Sequence, residues 1–492
     1  MYYVIIVKLY KFIKKKTMFK KKREISIIKM RFNILNSCIR SLCTVQCTPK
    51  ICIVGAGPAG FYAAQQLLKD SNTVKIDILE KLPIPFGLIR YGVAPDHPEV
   101  KNVLNTFHKV AINPRVNFVG NVTVGSDVSI KDLRENYNVV LLTYGAQFDR
   151  LLNIPGENLN NVISARNFVG WYNGVPENKN LKINLDMEEA AVIGQGNVAI
   201  DVARILLTPV DKLKSTDITS YALEALCHSK VKKVLMVGRR GPMQAAFTTA
   251  ELREILKLEG CRTFWREQDF ENIEAMVPTL DRPRKRQIEL MLKSLKESKC
   301  DSTYTKELYP IFLRSPVEFL GDKKLEGIKF AINQLRGETI QNQVAEMTGN
   351  FEEISCGLGL RSIGYKAIQI DNSIPFNTEK GYVENINGKV EGNLYAAGWA
   401  ATGPTGVLLI TMTNAFQVAR LIHNELMSSN TTKLAHGWTA LSKILKTKGV
   451  QTVSYEDWQR IDRVEQERGK RQGKVREKIV DVKEMLEIAG NV

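Results

Sequence analysis

Twice in this chain an apolar strand runs straight into a glycine turn and then into a helix, and that repeat limits the fold more than any other feature. The first copy is Ile51-Cys52-Ile53-Val54-Gly55-Ala56-Gly57-Pro58-Ala59-Gly60. The second is Ala190-Ala191-Val192-Ile193-Gly194-Gln195-Gly196-Asn197-Val198-Ala199. In such a turn the first glycine permits the bend, the second lets a phosphate approach the backbone, and the third lets helix and strand pack closely. The free N–H groups of the helix start then face an anion. Each copy is expected to open a βαβ unit that receives a dinucleotide.

The two copies ask for different ligands. In the first, Glu80 ends the next strand, Lys75–Leu79, twenty residues beyond Gly60. There it would accept a hydrogen bond from a ribose hydroxyl. In the second, Ala199 replaces the third glycine, and no acid ends the following strand, Val234–Gly238. Arg239 and Arg240 stand there instead, and paired guanidinium groups suit a 2′-phosphate, which selects NADP over NAD. The stretch from Gly196 to Arg239 is long for one crossover, so a helical insertion is expected within it. A chain with two dinucleotide sites moves electrons between them, which points to a flavoenzyme reduced by a nicotinamide cofactor.

Around the turns the pattern gives a helix over about Pro58–Lys69, strands near Asn138–Thr143 and Ala190–Ile193, and a helix over Val198–Leu207. A late strand, Asn393–Ala397, leads through Gly398 and Gly406 into a helix from about Val407. The expected fold class is α/β, with two Rossmann-like dinucleotide-binding domains, the NADP domain inserted into the FAD domain. In residue numbers, 1–48 forms a leader, 49–148 and 374–492 the two parts of the FAD-binding domain, and 149–373 the NADP-binding domain. The charged tail past Tyr455 reads as a solvated helical face.

The net charge of +17 is unevenly spread. Residues 1–48 hold twelve Lys or Arg against Glu24 alone, which is +11 of that total. This is the composition of a mitochondrial transit peptide, although the lysine clusters at 14–16 and 20–22 are atypical and Met30 is a candidate start. The apolar run Tyr2–Val7 is far short of the roughly 20 residues that span a membrane. No nucleic-acid module accompanies the basic charge, and no metal site is expected. Of the eight cysteines none forms a C-x-x-C; Cys38 and Cys43 are spaced C-x4-C, but ahead of the first strand. All are expected to be reduced.

Longer blocks narrow the reading. They include Pro85-Phe86-Gly87-Leu88-Ile89-Arg90-Tyr91-Gly92-Val93-Ala94-Pro95-Asp96-His97-Pro98, Gly170-Trp171-Tyr172-Asn173-Gly174, Val237-Gly238-Arg239-Arg240-Gly241-Pro242, Gly398-Trp399 and Gly403-Pro404-Thr405-Gly406. Together they resemble the mitochondrial NADPH:adrenodoxin (ferredoxin) reductase family over nearly all of residues 50–485. The resemblance implies FAD contacts at Ala59, Glu80, Leu88, Val124, Trp399, Gly406, Val407 and Leu408. It implies NADP contacts at Gly194, Gln195, Gly196, Asn197, Arg239, Arg240, Glu251 and Gly406. It also puts His97 and Glu251 near the nicotinamide, orienting the ring and tuning protonation, with Asp201 in a supporting place. Within Arg282-Pro283-Arg284-Lys285-Arg286, Arg282 and Arg286 would dock an acidic 2Fe–2S ferredoxin, and the proline starts a helix or caps a loop. One departure is Ala400-Ala401-Thr402, where relatives are expected to be basic, so side-chain contacts from Ala401 and Thr402 are in doubt.

The activity so implied is hydride transfer from NADPH to flavin N5, followed by single-electron delivery to an adrenodoxin-type ferredoxin. That ferredoxin would supply mitochondrial haem-thiolate monooxygenases or haem and iron–sulfur synthesis. The protein is expected in the mitochondrial matrix as a monomer, with any attachment to the inner membrane peripheral. A disulfide reductase would need a cysteine pair beside the flavin. A glutamate-synthase-type subunit would need cluster cysteines at spacings that Cys38 to Cys52 do not have. A nucleotide sensor would bind NADPH and reduce no ferredoxin.

Overall fold

The computed structural model describes residues 48–297, 304–406, 408–428 and 434–490. The leader up to residue 47, Val407, and Cys38, Cys43, Cys47 and Cys300 lie outside the described residues. The strands are β1 (Lys50–Val54), β2 (Lys75–Leu79), β3 (Val116–Val119), β4 (Val139–Leu142), β5 (Val162–Ser164), β6 (Glu189–Ile193), β7 (Lys233–Val237), β8 (Cys261–Thr263) and β9 (Lys306–Ile311). They continue as β10 (Arg314–Leu320), β11 (Gly327–Arg336), β12 (Val344–Ser355) and β13 (Leu358–Arg361), with the late pair β14 (Lys389–Glu391) and β15 (Leu394–Ala396).

Two six-stranded sheets result, ordered β14-β15-β4-β1-β2-β3 and β5-β13-β6-β7-β9-β8. Apart from the antiparallel edge strand β14, all their pairings are parallel. Parallel strands are covered on both faces, which is why β1 and β6 read as unbroken apolar runs and are buried along four of their five residues. The first sheet draws strands from both sides of the second in sequence. At the crossing the chain leaves through Phe148–Asp149 and returns through Tyr365–Lys366, which pair antiparallel. An antiparallel sheet, β10-β11-β12, is appended to the second unit.

Six helices matter for the site: α1 (Pro58–Asp70), α2 (Asn197–Leu207), α3 (Thr249–Leu256), α4 (Arg282–Glu297), α5 (Leu408–Ser428) and α6 (Tyr455–Arg471). The expected insertion after the second turn is present as short helices Val210–Leu213 and Ser220–Cys227. Pro283 stands at the second residue of α4, where a missing N–H costs nothing. No helix among the described residues is long and apolar enough to cross a membrane.

The solvated tail is the expectation the structure corrects. Helix α6 buries Tyr455, Trp458, Ile461, Glu465 and Gly469, a stripe at helical spacing hidden among abundant charges. Trp458 meets Phe86 edge-on with ring centroids 6.1 Å apart. Glu465 accepts from Arg90 at 2.5 Å, with both side chains almost fully buried, and also from Ile479 N at 2.9 Å and Arg476 at 3.1 Å. A buried pair is stable only when so satisfied, and removing one partner typically costs about 3–5 kcal/mol. The tail therefore fixes the Pro85–Pro98 loop.

Candidate functional site

The two glycine turns repeat one geometry. Gly55 N donates to Leu79 O and Gly194 N to Val237 O, both at 2.8 Å, so each turn springs from the end of the neighbouring strand. Gly55 and Gly194 have φ of +108° and +133°. A Cβ on Gly55 would lie 2.7 Å from Thr143 O, and one on Gly194 would lie 2.1 Å from Ser362 O. Only glycine fits either place. Gly60 is needed for packing, since its Cβ would come within 2.3 Å of Gly55 O. Ala199 takes the matching place in α2 and is fully buried.

Gly57 and Gly196 differ in kind. Both have extended backbones that any residue adopts, and a Cβ on either would meet no protein atom within 4 Å. They are the N-caps of α1 and α2, and neither helix start receives a side-chain cap. Uncapped N–H groups beside open space are what a pyrophosphate requires.

The second strand ends differ as the sequence implied. Glu80 Oε2 accepts from Ala56 N at 2.9 Å and Oε1 from Leu82 N at 3.2 Å, which fixes the carboxylate against the first turn with acceptor capacity to spare. Burial pushes its carboxyl above the usual range, and those N–H groups oppose the shift. In the second turn Gly238 takes the corresponding place. Its missing side chain makes room for Gln195, whose amide donates to Ile311 O at 3.0 Å; a Cβ on Gly238 would come within 2.3 Å of it. The Gln195 side chain thus braces the turn, leaving its backbone for a ligand.

Arg239 is exposed and Arg240 half-buried, and among the described residues neither has a carboxylate within ion-pair distance. Their backbones are held: Arg239 O accepts from Asn333 Nδ2 at 2.8 Å, and Arg240 O from Leu313 N at 3.1 Å. Arg282 and Arg286 are exposed on α4.

Ala59 lies beneath the late loop, because a Cβ on Gly398 would come within 2.6 Å of Ala59 Cβ. That places Trp399 over the start of α1, with its ring centroid 6.3 Å from Tyr365. The indole Nε1 is buried and has no hydrogen-bond partner among the described residues. Leu88 is exposed at the start of a short helix, Leu88–Tyr91, in a segment that folds back on the first turn through Phe86 N to Ala56 O at 2.8 Å. Gly406 has φ of +78°, Leu408 is half-buried, and Val124 is packed in the core with Val122 and Val128.

His97 and Glu251 belong to one charged group. Asn197 Nδ2 donates to Glu251 Oε1 at 3.1 Å, while Glu251 Oε2 is buried with no hydrogen-bond partner among the described residues. Burial raises the Glu251 carboxyl, aided by Asp201 and Glu254 and opposed by His97. His97 Nε2 lies 2.9 Å from Glu254 Oε2. Asp201 is also raised by burial and is held by Arg204 at 2.9 Å. Arg204 grips Asp96 with two bonds, 2.7 and 3.1 Å. Sequence reasoning missed Glu254 and Arg204. Helical spacing was the available signal: Glu254 lies one turn past Glu251 on α3, and Arg204 one turn past Asp201 on α2. Among the described residues Cys52, Cys227, Cys261 and Cys356 are free and stand on separate elements, so they form no redox pair.

Two glycine turns of the dinucleotide type, each leading from a parallel sheet into a helix, define the two-nucleotide oxidoreductase class. Residues 49–260 match the family described as pyridine nucleotide-disulphide oxidoreductase. The Drosophila melanogaster protein named NADPH:adrenodoxin oxidoreductase, mitochondrial, is 50% identical over 454 residues, covering 90% of this chain and 94% of that protein. The Homo sapiens protein of the same name is 45% identical over 460 residues, covering 91% and 93%. Among solved structures, Mycobacterium tuberculosis FprA in complex with NADPH superposes with a TM-score of 0.85 at 37% identity, covering 90% of this chain and 99% of that one. This chain belongs to the NADPH:adrenodoxin oxidoreductase family.

Proposed function

We propose that the protein passes electrons from NADPH, through a resident FAD, to an acidic 2Fe–2S ferredoxin of the adrenodoxin type. The observation that carries this reading is the junction of the two turns. The late loop of the first brings Trp399 onto Tyr365, and the second brings Glu251 through Asn197 to the same region as Asp201 and His97. Two buried polar atoms there, Trp399 Nε1 and Glu251 Oε2, have no hydrogen-bond partner among the described residues. Buried polar groups are rarely left so unless a ligand completes them.

FAD fits the first site. Gly57 and the α1 start would hold its pyrophosphate beside Gly55, Ala59 and Gly60, with Glu80 toward a ribose. Leu88 and Trp399 would cover the ring system, and the N–H groups from Gly406 to Leu408 would meet its pyrimidine edge. Val124 would contribute backbone only, since its side chain is committed to the core. When bound, FAD converts a two-electron hydride into single electrons. The chain's own residues position and charge the site. Gly194, Gly196 and the backbones of Gln195 and Asn197 receive the NADPH pyrophosphate, and Arg239 and Arg240 its 2′-phosphate. His97 and Glu251 orient the nicotinamide and hold protons beside it.

The FAD-binding domain takes 49–148 and 374–492, and the NADP-binding domain 149–373. Arg282 and Arg286 offer positive charge to the acidic partner, which speeds encounter more than it tightens binding. Curated relatives carry the qualifier mitochondrial; the matrix, peripheral membrane contact and a monomeric state are our reading for this chain.

The test is reduction of cytochrome c with NADPH or NADH, with and without a 2Fe–2S ferredoxin. A yellow protein whose rate depends on ferredoxin and on NADPH is the expected result. Ferredoxin-independent NADPH oxidation would remove the partner and keep the flavin chemistry.

A further inference from the structure

Helix α4 has two basic faces, and the reading above uses one. Arg282 and Arg286 are four residues apart and share the exposed face. Arg284, offset by about 200° of helical turn, points the other way. It is half-buried, and Nη1 donates to Ala245 O at 2.5 Å and to Gln287 Oε1 at 2.7 Å. Gln287, itself buried, donates to Phe247 O at 2.8 Å. Ala245 caps the short turn Pro242–Gln244 that directly follows Arg240 and Gly241. The inner face of α4 is thus tied to the loop that carries the arginine pair.

We propose that Arg284 is a third cation of the 2′-phosphate site and a determinant of the preference for phosphorylated dinucleotides. The proposal rests on reading Arg239 and Arg240 as the 2′-phosphate clamp. Among the described residues none of the three arginines has a carboxylate within ion-pair distance; Asp281, the acid that acts on Arg284, spends Oδ1 on the Arg284 backbone N–H at 2.8 Å. Burial and the nearby Arg240 both weaken the hold of Arg284 on its proton, Asp281 opposing them. Gathered guanidinium groups without an anion repel one another, and a phosphate dianion turns that repulsion into attraction.

The test is calorimetric titration of the full-length, FAD-containing protein with adenosine 2′,5′-bisphosphate and with adenosine 5′-monophosphate. Arg284→Gln removes the charge and retains a polar side chain. It is expected to weaken the bisphosphate about fivefold, an effect that shrinks in high salt, without changing monophosphate affinity. Arg284→Lys should retain most of the discrimination. Equal loss for both ligands, or no loss for either, overturns the proposal. So does a change confined to the ferredoxin dependence of cytochrome c reduction, which would assign Arg284 to docking. Arg240→Gln is the control: if it too leaves the ratio unchanged, the clamp reading falls; if it lowers the ratio and Arg284→Gln does not, only this proposal falls.

Discussion

Glu251 gives one oxygen to Asn197 and leaves the other buried and unmatched, so the folded chain disfavours its ionised form. The sign of the consequence follows. Its carboxyl is raised above 4.5 in the folded state, so the unfolded chain loses the proton first as pH rises. Stability falls through that window, and the cost is complete above the folded value. Glu251→Gln should therefore melt above the wild type near pH 8, with the difference vanishing near pH 4, while NADPH-dependent reduction slows roughly tenfold. Equal melting at both pH values would remove the strain from the account. Glu251 and Asn197 were legible because motif and resemblance named them. The pairing of His97 with Glu254 was not, since it joins a proline-rich loop to a helix far along the chain, and no local period encodes such a contact.

At the scale of strand, turn and helix, almost all of the two glycine turns was written locally. Apolar runs, glycines at fixed offsets and a proline at the first turn of α1 each act within a few residues. The structure adds a division among those glycines. Gly55 and Gly60 face protein, whereas Gly57 and Gly196 face open space. Gly57→Ala should therefore leave the thermal stability of the FAD-stripped protein unchanged and yet yield a paler protein with less FAD per chain. Gly196→Ala should retain FAD and raise the KM for NADPH. Loss of folding in either variant, read by circular dichroism, would contradict the assignment of those faces. The α6 stripe failed to read out because its five buried positions lie among abundant charges, and one of the five, Glu465, is itself a charge, buried by pairing with Arg90 of the Pro85–Pro98 loop.

Across the whole molecule, the segment after α6 ties the two units together. Lys478 is buried, lies 3.2 Å from Asp217, and bonds Arg90 O and Asn173 Oδ1 at 3.3 Å each; Lys101 holds Asp217 at 2.7 and 2.8 Å. Ser220 N donates to Glu477 at 3.0 Å. Burial lowers Lys478 to about 7, while the two lysines depress the carboxyl of Asp217. Asp217→Asn would leave two buried cations with no anion and is expected to cost roughly 3 kcal/mol in urea unfolding. The cost should be larger at pH 6 than at pH 9, because Lys478 carries its charge only on the acid side. A smaller cost at pH 6 would reverse the assignment of charge. The nesting of the sheets also sets a timetable. As a ribosome delivers the chain, the second sheet has all its strands once Arg361 has emerged, whereas the first, begun at Lys50, waits for Ala396. The half that starts first in synthesis is completed last, after the half it encloses.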